Sequence, residues 1–101
     1  MEYSRVFHRE FERDISSTME WYESHQYGLS AKFLANVRAA VELICQDPTR
    51  FTVTRQELRY LSVKKFPYII IYRVSDSTIY FLGVFHTSRD LDRIIKDSKR
   101  S

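Results

Sequence analysis

The sequence is poor in cysteine, glycine and proline, and each scarcity excludes a class of protein. Its single cysteine, Cys45, can form neither an internal disulfide nor, by itself, a cysteine-based metal site. We therefore expect Cys45 to be a buried, small apolar side chain in a protein of a reducing compartment. Only two glycines and two prolines, in a chain that is 44% hydrophobic and 15% aromatic, exclude disordered and collagen-like proteins.

Long hydrophobic segments are also absent from the sequence. The longest uninterrupted apolar run is Tyr68–Tyr72, whereas a membrane helix needs about 20 such residues. The N-terminal segment carries charges throughout and contains no apolar core of a signal peptide. We therefore expect a cytoplasmic protein without a membrane partner. A chain of 101 residues supports a single domain, here 1–101 with a polar tail at about 97–101.

Charge is distributed unevenly along the chain. Residues 1–49 carry 5 basic and 8 acidic side chains, whereas residues 50–101 carry 11 basic and 5 acidic ones. The second half therefore has a formal charge of +6 against −3 for the first half, within a total of +3. A basic half attracts nucleic acid or an acidic protein segment, and charge alone does not choose between these partners.

Hydrophobic periodicity predicts a helical hairpin within residues 9–46, preceded by a short strand at 3–8. Apolar side chains recur at three- and four-residue spacing over Phe11–Tyr22 and again over Phe33–Ile44. Gly28 is expected to end the first helix with a left-handed cap, and Ser30 to be the N-cap of the second. Pro48 stops the second helix, because proline disfavours helical geometry in the residue before it.

After Pro48 the pattern changes to that of β-strands. β-Branched and aromatic runs predict strands at 57–63, 68–74 and 78–86, the last two covered on both faces, followed by a short helix at 90–96. The expected fold class is α+β: an N-terminal strand, a two-helix hairpin, and a mostly antiparallel sheet completed by a three-stranded meander.

Motifs of well-known enzymes are missing, and we expect neither a metal nor a cofactor. The sequence has no glycine-rich phosphate loop, HExxH or GxSxG, and its three histidines show no metal-ligand spacing. Basic residues do gather on or just after the meander strands, where they would form one basic face of the sheet: Arg59, Lys64, Lys65, Arg73, His86 and Arg89.

This set fits the chemistry of RNA cleavage, which needs an acid, a base and cations around one phosphate. His86 is the candidate acid or base, and Arg89 with Lys64 or Lys65 is the candidate phosphate site. The alternative for His86 is a hydrogen-bonded histidine that closes the last strand. The alternative for Arg89 is an ion pair with Asp90 or Asp92.

Two stretches of the sequence are distinctive: WYESHQYGLSAKFLANVRAAVELICQDPTRF, from Trp21, and FPYIIIYRV followed by IYFLGVFHTSRD. Together they resemble the RelE/ParE superfamily of toxins from bacterial type II toxin–antitoxin pairs, over roughly residues 5–90. The resemblance implies a growth inhibitor that a cognate antitoxin neutralises in a hetero-oligomer, with a helix or extended segment laid over apolar grooves. Candidate antitoxin contacts are Trp21, Tyr22 and Tyr27, although we expect Trp21 to pack in the core.

Within the superfamily, RelE-like members cut mRNA on the ribosome, whereas ParE-like members poison DNA gyrase. The ribonucleases resemble one another in two arginines and a C-terminal aromatic; here Ile69 and Thr87 stand at the arginine positions, and no Tyr or Phe follows Phe85. The ParE-like pattern is matched by Tyr72-Arg73-Val74 and by Val84-Phe85-His86 with Asp90.

The resemblance therefore favours a ParE-like gyrase poison over two alternatives, a RelE-like ribonuclease and a degenerate toxin that only binds its antitoxin. The catalytic residues, if the chain is a ribonuclease, would be His86, Arg89 and Arg73. The residues expected to bind the target or nucleic acid are Lys64, Lys65 and Arg59.

Overall fold

The computed structural model describes residues 2–54 and 57–90 as an α+β fold. Its elements, in chain order, are β1 (Ser4–Phe7), α1 (Arg9–His25), α2 (Leu29–Gln46), β2 (Arg59–Ser62), β3 (Tyr68–Ser75) and β4 (Thr78–His86). The predicted order of a strand, two helices and three strands is confirmed. The helix expected at 90–96 and the polar tail lie outside the described residues, apart from the exposed Asp90. None of the described helices is long and apolar enough to cross a membrane.

The four strands form one sheet in the order β1-β4-β3-β2. β2, β3 and β4 are antiparallel neighbours, whereas β1 lies parallel to β4 at one edge of the sheet. The mostly antiparallel sheet is thus confirmed. A two-residue turn at Asp76 and Ser77 joins β3 to β4, and pairing runs from there to Tyr68, which lies opposite His86.

Both helices pack on one face of this sheet, where their apolar stripes meet alternate strand residues. Phe11 of α1 is buried, and its ring centroid lies 5.6 Å from that of Phe81 on β4. On α2, Phe33 and Ile44 are completely buried. Burial of each such side chain contributes about 1.5–3 kcal/mol, so the helical hairpin is held mainly by these contacts.

The opposite face of the sheet carries a second apolar cluster. Its members on β3, Ile69 and Ile71, alternate with Ile70 and Tyr72, which face the helices. All four are buried, which confirms the prediction that this strand is covered on both faces. The buried members of the second cluster are Leu58, Ile69, Ile71, Leu82 and Phe85.

α1 is anchored to the sheet beside an irregularity in β4. The register shifts opposite the middle of β3, so Leu82 is the extra residue of a β-bulge. Two residues later, the backbone N–H of Val84 donates a hydrogen bond to the carboxylate of Asp14 on α1, over 2.9 Å. This contact fixes α1 against the second half of β4, the half that ends at His86.

The junction between the two helices differs from the prediction. α1 ends at His25, because Gln26 is extended with a φ of −155°. Gly28, with a φ of +84°, immediately precedes α2 and does not cap α1. The expectation that Ser30 is an N-cap is wrong: Ser30 lies inside α2, and its hydroxyl donates to the carboxylate of Glu23 over 2.6 Å.

Two smaller differences concern β2 and Cys45. The strand begins at Arg59 and not at residue 57, because Glu57 has a φ of +61° and cannot continue an extended strand. Cys45 is half-buried, not fully buried, and packs against the helix-side core. This partial burial raises the pKa of its thiol.

Candidate functional site

One end of the sheet brings together the β2–β3 turn and the residues that follow β4. Tyr68, at the start of β3, pairs with His86 at the end of β4. Just beyond this pair, the backbone N–H of Thr87 donates to the carbonyl oxygen of Pro67 over 2.9 Å. This region, here named the basic end, presents four candidate residues: Lys64, Lys65, His86 and Arg89.

The turn that carries the two lysines is held by one hydrogen bond within it and by one from α2. The N–H of Phe66 donates to the carbonyl of Val63 over 3.3 Å, and the side-chain amide of Asn36 on α2 donates to the carbonyl of Lys64 over 2.9 Å. Lys65 has a φ of +67°, a left-handed conformation that costs a residue with a side chain about 1–2 kcal/mol. Both lysine side chains are exposed.

His86 is half-buried, and its ring is held from two sides. The ring lies edge-on to Tyr68, with a centroid distance of 5.1 Å. Its Nδ1 accepts a hydrogen bond from the backbone N–H of Ser88 over 3.0 Å and lies 2.7 Å from the Ser88 hydroxyl. Because Nδ1 accepts from an N–H group, the neutral ring carries its proton on Nε2. His86 is thus a hydrogen-bonded histidine at the end of the last strand, which is the alternative that the sequence left open.

Arg73 and Arg59 lie away from the basic end, so the expectation of a single basic face is wrong. The guanidinium of Arg73 lies over the ring of Tyr80, 4.9 Å from its centroid. Tyr68 and Arg73 are five residues apart on β3, which at ~3.4 Å per residue separates Arg73 from the basic end by about 17 Å. Arg59 donates to the carbonyls of Thr49 and Phe51, over 2.9 and 2.7 Å, which turns it toward the loop before β2.

At the two positions where the ribonucleases share an arginine, this chain has no cation. Ile69 is buried in the second apolar cluster, and Thr87 is an exposed polar residue. Arg89 is the cation nearest to His86 along the chain, and its backbone N–H donates to the carbonyl of His86 over 3.1 Å. Of the two residues expected to pair with Arg89, Asp90 is exposed and Asp92 lies outside the described residues.

A second surface feature lies where α1 ends. Trp21 is 54% exposed and Tyr27 is 92% exposed, and we name these two residues the aromatic patch. The Trp21 ring stacks on that of His25 at a centroid distance of 3.9 Å. The expectation that Trp21 packs in the core is wrong, because it lies one position off the apolar stripe of α1.

Tyr22 belongs to the core, so it lacks the exposed side that was expected to contact the antitoxin. Its ring meets those of Phe33, Phe66 and Tyr68 at centroid distances of 5.5, 5.2 and 6.2 Å. Burial raises the pKa of its hydroxyl. These contacts join the end of α1 to the basic end, so the aromatic patch and the basic end lie at the same end of the domain.

The structure is a helical hairpin on one face of a four-stranded sheet, with Lys64, Lys65, His86 and Arg89 at one sheet end. In comparison with known proteins, residues 6–91 match the ParE toxin of the type II toxin–antitoxin system parDE. The chain belongs to this ParE toxin family. It is therefore the toxin component of a type II toxin–antitoxin system, and its partner is an antitoxin.

The fold is shared with a solved structure described as a chromosomal ParDE TA system from P. aeruginosa. The TM-score is 0.75 at 16% sequence identity, and the alignment covers 84% of this chain and 96% of the other. At this identity the likeness concerns the fold. A search among curated proteins found no match to the chain. Within the described residues, no group of three His, Cys, Asp or Glu side chains is arranged to hold a metal ion.

Proposed function

We propose that this toxin acts by poisoning DNA gyrase and does not cut mRNA. Membership of the ParE family supports the target, because ParE-like toxins act on gyrase. The geometry around His86 supports the absence of ribonuclease chemistry. The observation that carries the proposal is the hydrogen bond from the Ser88 N–H to Nδ1 of His86.

That hydrogen bond argues against a role for His86 as a general base. RNA cleavage requires a group that takes the proton of the 2′-hydroxyl, and a neutral histidine does this through an unprotonated ring nitrogen. Here Nδ1 is occupied by the Ser88 N–H, and Nε2 carries the proton. His86 is therefore set up as a hydrogen-bond donor.

Stabilisation of a cleaving phosphate is also incomplete among the described residues. A phosphorane needs cations within hydrogen-bond reach of the same phosphate that the acid and base touch. Arg73 is about 17 Å along the strand from this position, and Ile69 is buried on the opposite face. The cations that remain at the basic end are Lys64, Lys65 and Arg89, beside a histidine whose Nδ1 is already occupied, and the two arginines that the ribonucleases share are missing.

The test compares the two activities in the same preparation of refolded toxin, freed of antitoxin. We expect loss of gyrase supercoiling and accumulation of gyrase-linked linear DNA, both reversed by added antitoxin. His86→Ala should retain both effects, whereas translated mRNA in a ribosome assay should stay intact. Ribosome-dependent mRNA cleavage that His86→Ala abolishes would overturn the proposal in favour of a RelE-like ribonuclease. A folded protein that neither inhibits gyrase nor arrests growth would instead be a degenerate toxin.

We also propose that the antitoxin contacts the aromatic patch. Trp21 and Tyr27 expose large aromatic side chains, the type that is enriched in the cores of protein interfaces. Tyr22, which is buried and lies edge-on to the Trp21 ring, supports the end of α1 and offers little surface of its own. Trp21→Ala should weaken antitoxin binding, whereas Val53→Ala, which truncates another exposed apolar side chain, should not. Equal affinity of the wild type and Trp21→Ala would contradict this assignment.

A further inference from the structure

The backbone at Lys65 is in a conformation that lysine does not favour. With a φ of +67°, it occupies the left-handed region, which glycine adopts at little cost. Backbone strain of this kind persists where the surroundings hold it in place, and it concentrates at functional sites. Here the hydrogen bond of Asn36 to the Lys64 carbonyl and the turn closed by Phe66 and Val63 hold it. The backbone that carries these two lysines is therefore held in place, and Lys65 occupies a position that would suit glycine. Both lysine side chains are exposed.

A third lysine extends this cationic surface onto α2. Lys32 is exposed and lies four residues before Asn36, so the two share one helix face, with Cβ atoms about 5–6 Å apart. Because Asn36 contacts the backbone of Lys64, Lys32 lies beside the turn. In the part of the chain that the structure describes, neither ion pair involves a lysine, since both join an arginine to a glutamate.

We propose that Lys32, Lys64, Lys65 and Arg89 form a binding surface for the phosphate backbone of duplex DNA. Lysine is depleted in protein–protein interfaces, whose cores are apolar, but it is a principal contact to phosphate oxygens. The aromatic patch, Trp21 and Tyr27, exposes its apolar surface at the same end of the domain, on α1 and in the turn before α2. Four exposed cations, none of which forms an ion pair between described side chains, therefore fit a polyanion better than they fit an apolar protein groove. Contacts to phosphate carry no base specificity, so binding is independent of DNA sequence.

The experiment measures fluorescence anisotropy of a labelled short DNA duplex titrated with the refolded toxin at several salt concentrations. Four phosphate contacts predict a slope of log affinity against log salt of about −3 to −4, so affinity falls about 100-fold between ~50 and ~200 mM salt. Lys64→Gln/Lys65→Gln should reduce the magnitude of the slope by about 2 and weaken binding by about 100-fold or more at ~50 mM salt. The measurement uses toxin and DNA alone, so its outcome is separate from the question of whether gyrase is the target.

The matched control is Arg13→Gln/Arg38→Gln, which removes the same charge from exposed positions on α1 and α2. It should leave the salt slope unchanged, and circular dichroism should show that both double variants are folded. An equal loss of affinity in the two double variants would attribute binding to net charge and overturn the proposal. Absence of duplex binding at low salt would overturn it too. Tighter binding of a labelled polyglutamate peptide than of the duplex would assign the surface to an acidic protein segment.

Discussion

The hydroxyl of Tyr72 ties the end of the helical layer to the sheet, and removing it provides a quantitative test of the core. Tyr72 is completely buried on β3, and its hydroxyl donates to the carbonyl of Pro48 over 2.7 Å, just after α2 ends. Tyr72→Phe keeps the ring and removes this donor from a buried carbonyl. The expected loss of unfolding free energy is about 1–3 kcal/mol. For a domain of this size that loss lowers the melting temperature by roughly 4–8 °C per kcal/mol.

The pH dependence of this loss separates it from a general weakening of the core. Burial raises the pKa of Tyr72 to about 12, from the ordinary value of 10.0. Because the folded protein favours the neutral phenol, the stabilisation is complete below pH 10.0 and is lost as the pH rises from 10.0 to about 12. The loss approaches about 2–3 kcal/mol for a two-unit shift. The difference in unfolding free energy between the wild type and Tyr72→Phe should therefore disappear across this pH interval.

The assay is urea unfolding followed by circular dichroism, for both proteins, at a series of alkaline pH values. Only the difference between the two is interpreted, because other tyrosines and the lysines titrate equally in both. Tyr60→Phe, on the opposite face of the sheet, controls for the loss of a tyrosine hydroxyl as such. A constant difference between wild type and Tyr72→Phe throughout this pH range would refute the reasoning, and so would an unfolding free energy unchanged near neutral pH.

Three further predictions concern the helix anchor, the strained turn and the aromatic patch. Asp14→Ala removes the acceptor of the Val84 N–H and should cost about 1–3 kcal/mol in thermal unfolding; an unchanged melting temperature would contradict it. Lys65→Gly should raise the unfolding free energy by up to about 1 kcal/mol, whereas Asp76→Gly, at a φ of +54°, should gain less because aspartate tolerates this region better. Trp21, the sole tryptophan, should shift its fluorescence to shorter wavelength when antitoxin binds, and an unmoved spectrum would place the antitoxin elsewhere.

The order and type of the elements could be predicted from the sequence because each segment has a strong and different period. The stripe from Phe11 to Tyr22 repeats every three or four residues, and the runs after Pro48 are β-branched and aromatic. The same stripe already contains Tyr22 and excludes its neighbour Trp21. The burial of one and the exposure of the other were therefore encoded in the spacing, although the sequence interpretation assigned an exposed side to Tyr22 and core packing to Trp21.

Contacts between distant residues could not be predicted in this way. The hydrogen bond between Asp14 and Val84 spans 70 positions and depends on how α1 crosses β4. Nothing in the sequence indicates the left-handed backbone at Lys65, because glycine or asparagine is the usual residue at such a position. The separation of Arg73 from His86, in contrast, could have been predicted from the sequence. The turn at residues 76 and 77 fixes which residues pair, so counting outward from it places these two side chains at opposite ends of the hairpin.

Small changes at the basic end decide which chemistry this fold can perform. A fold supplies positions, and the residues at those positions supply the function. Here the end of β4 carries a histidine whose Nδ1 is occupied by the Ser88 N–H, and Ile69 is part of a buried cluster. An arginine at position 69 would have to leave that cluster, with the loss of its apolar contacts, before its charge could reach a phosphate at the basic end. The apolar packing of β3 and the lack of a cation at position 69 are therefore consequences of the same residue.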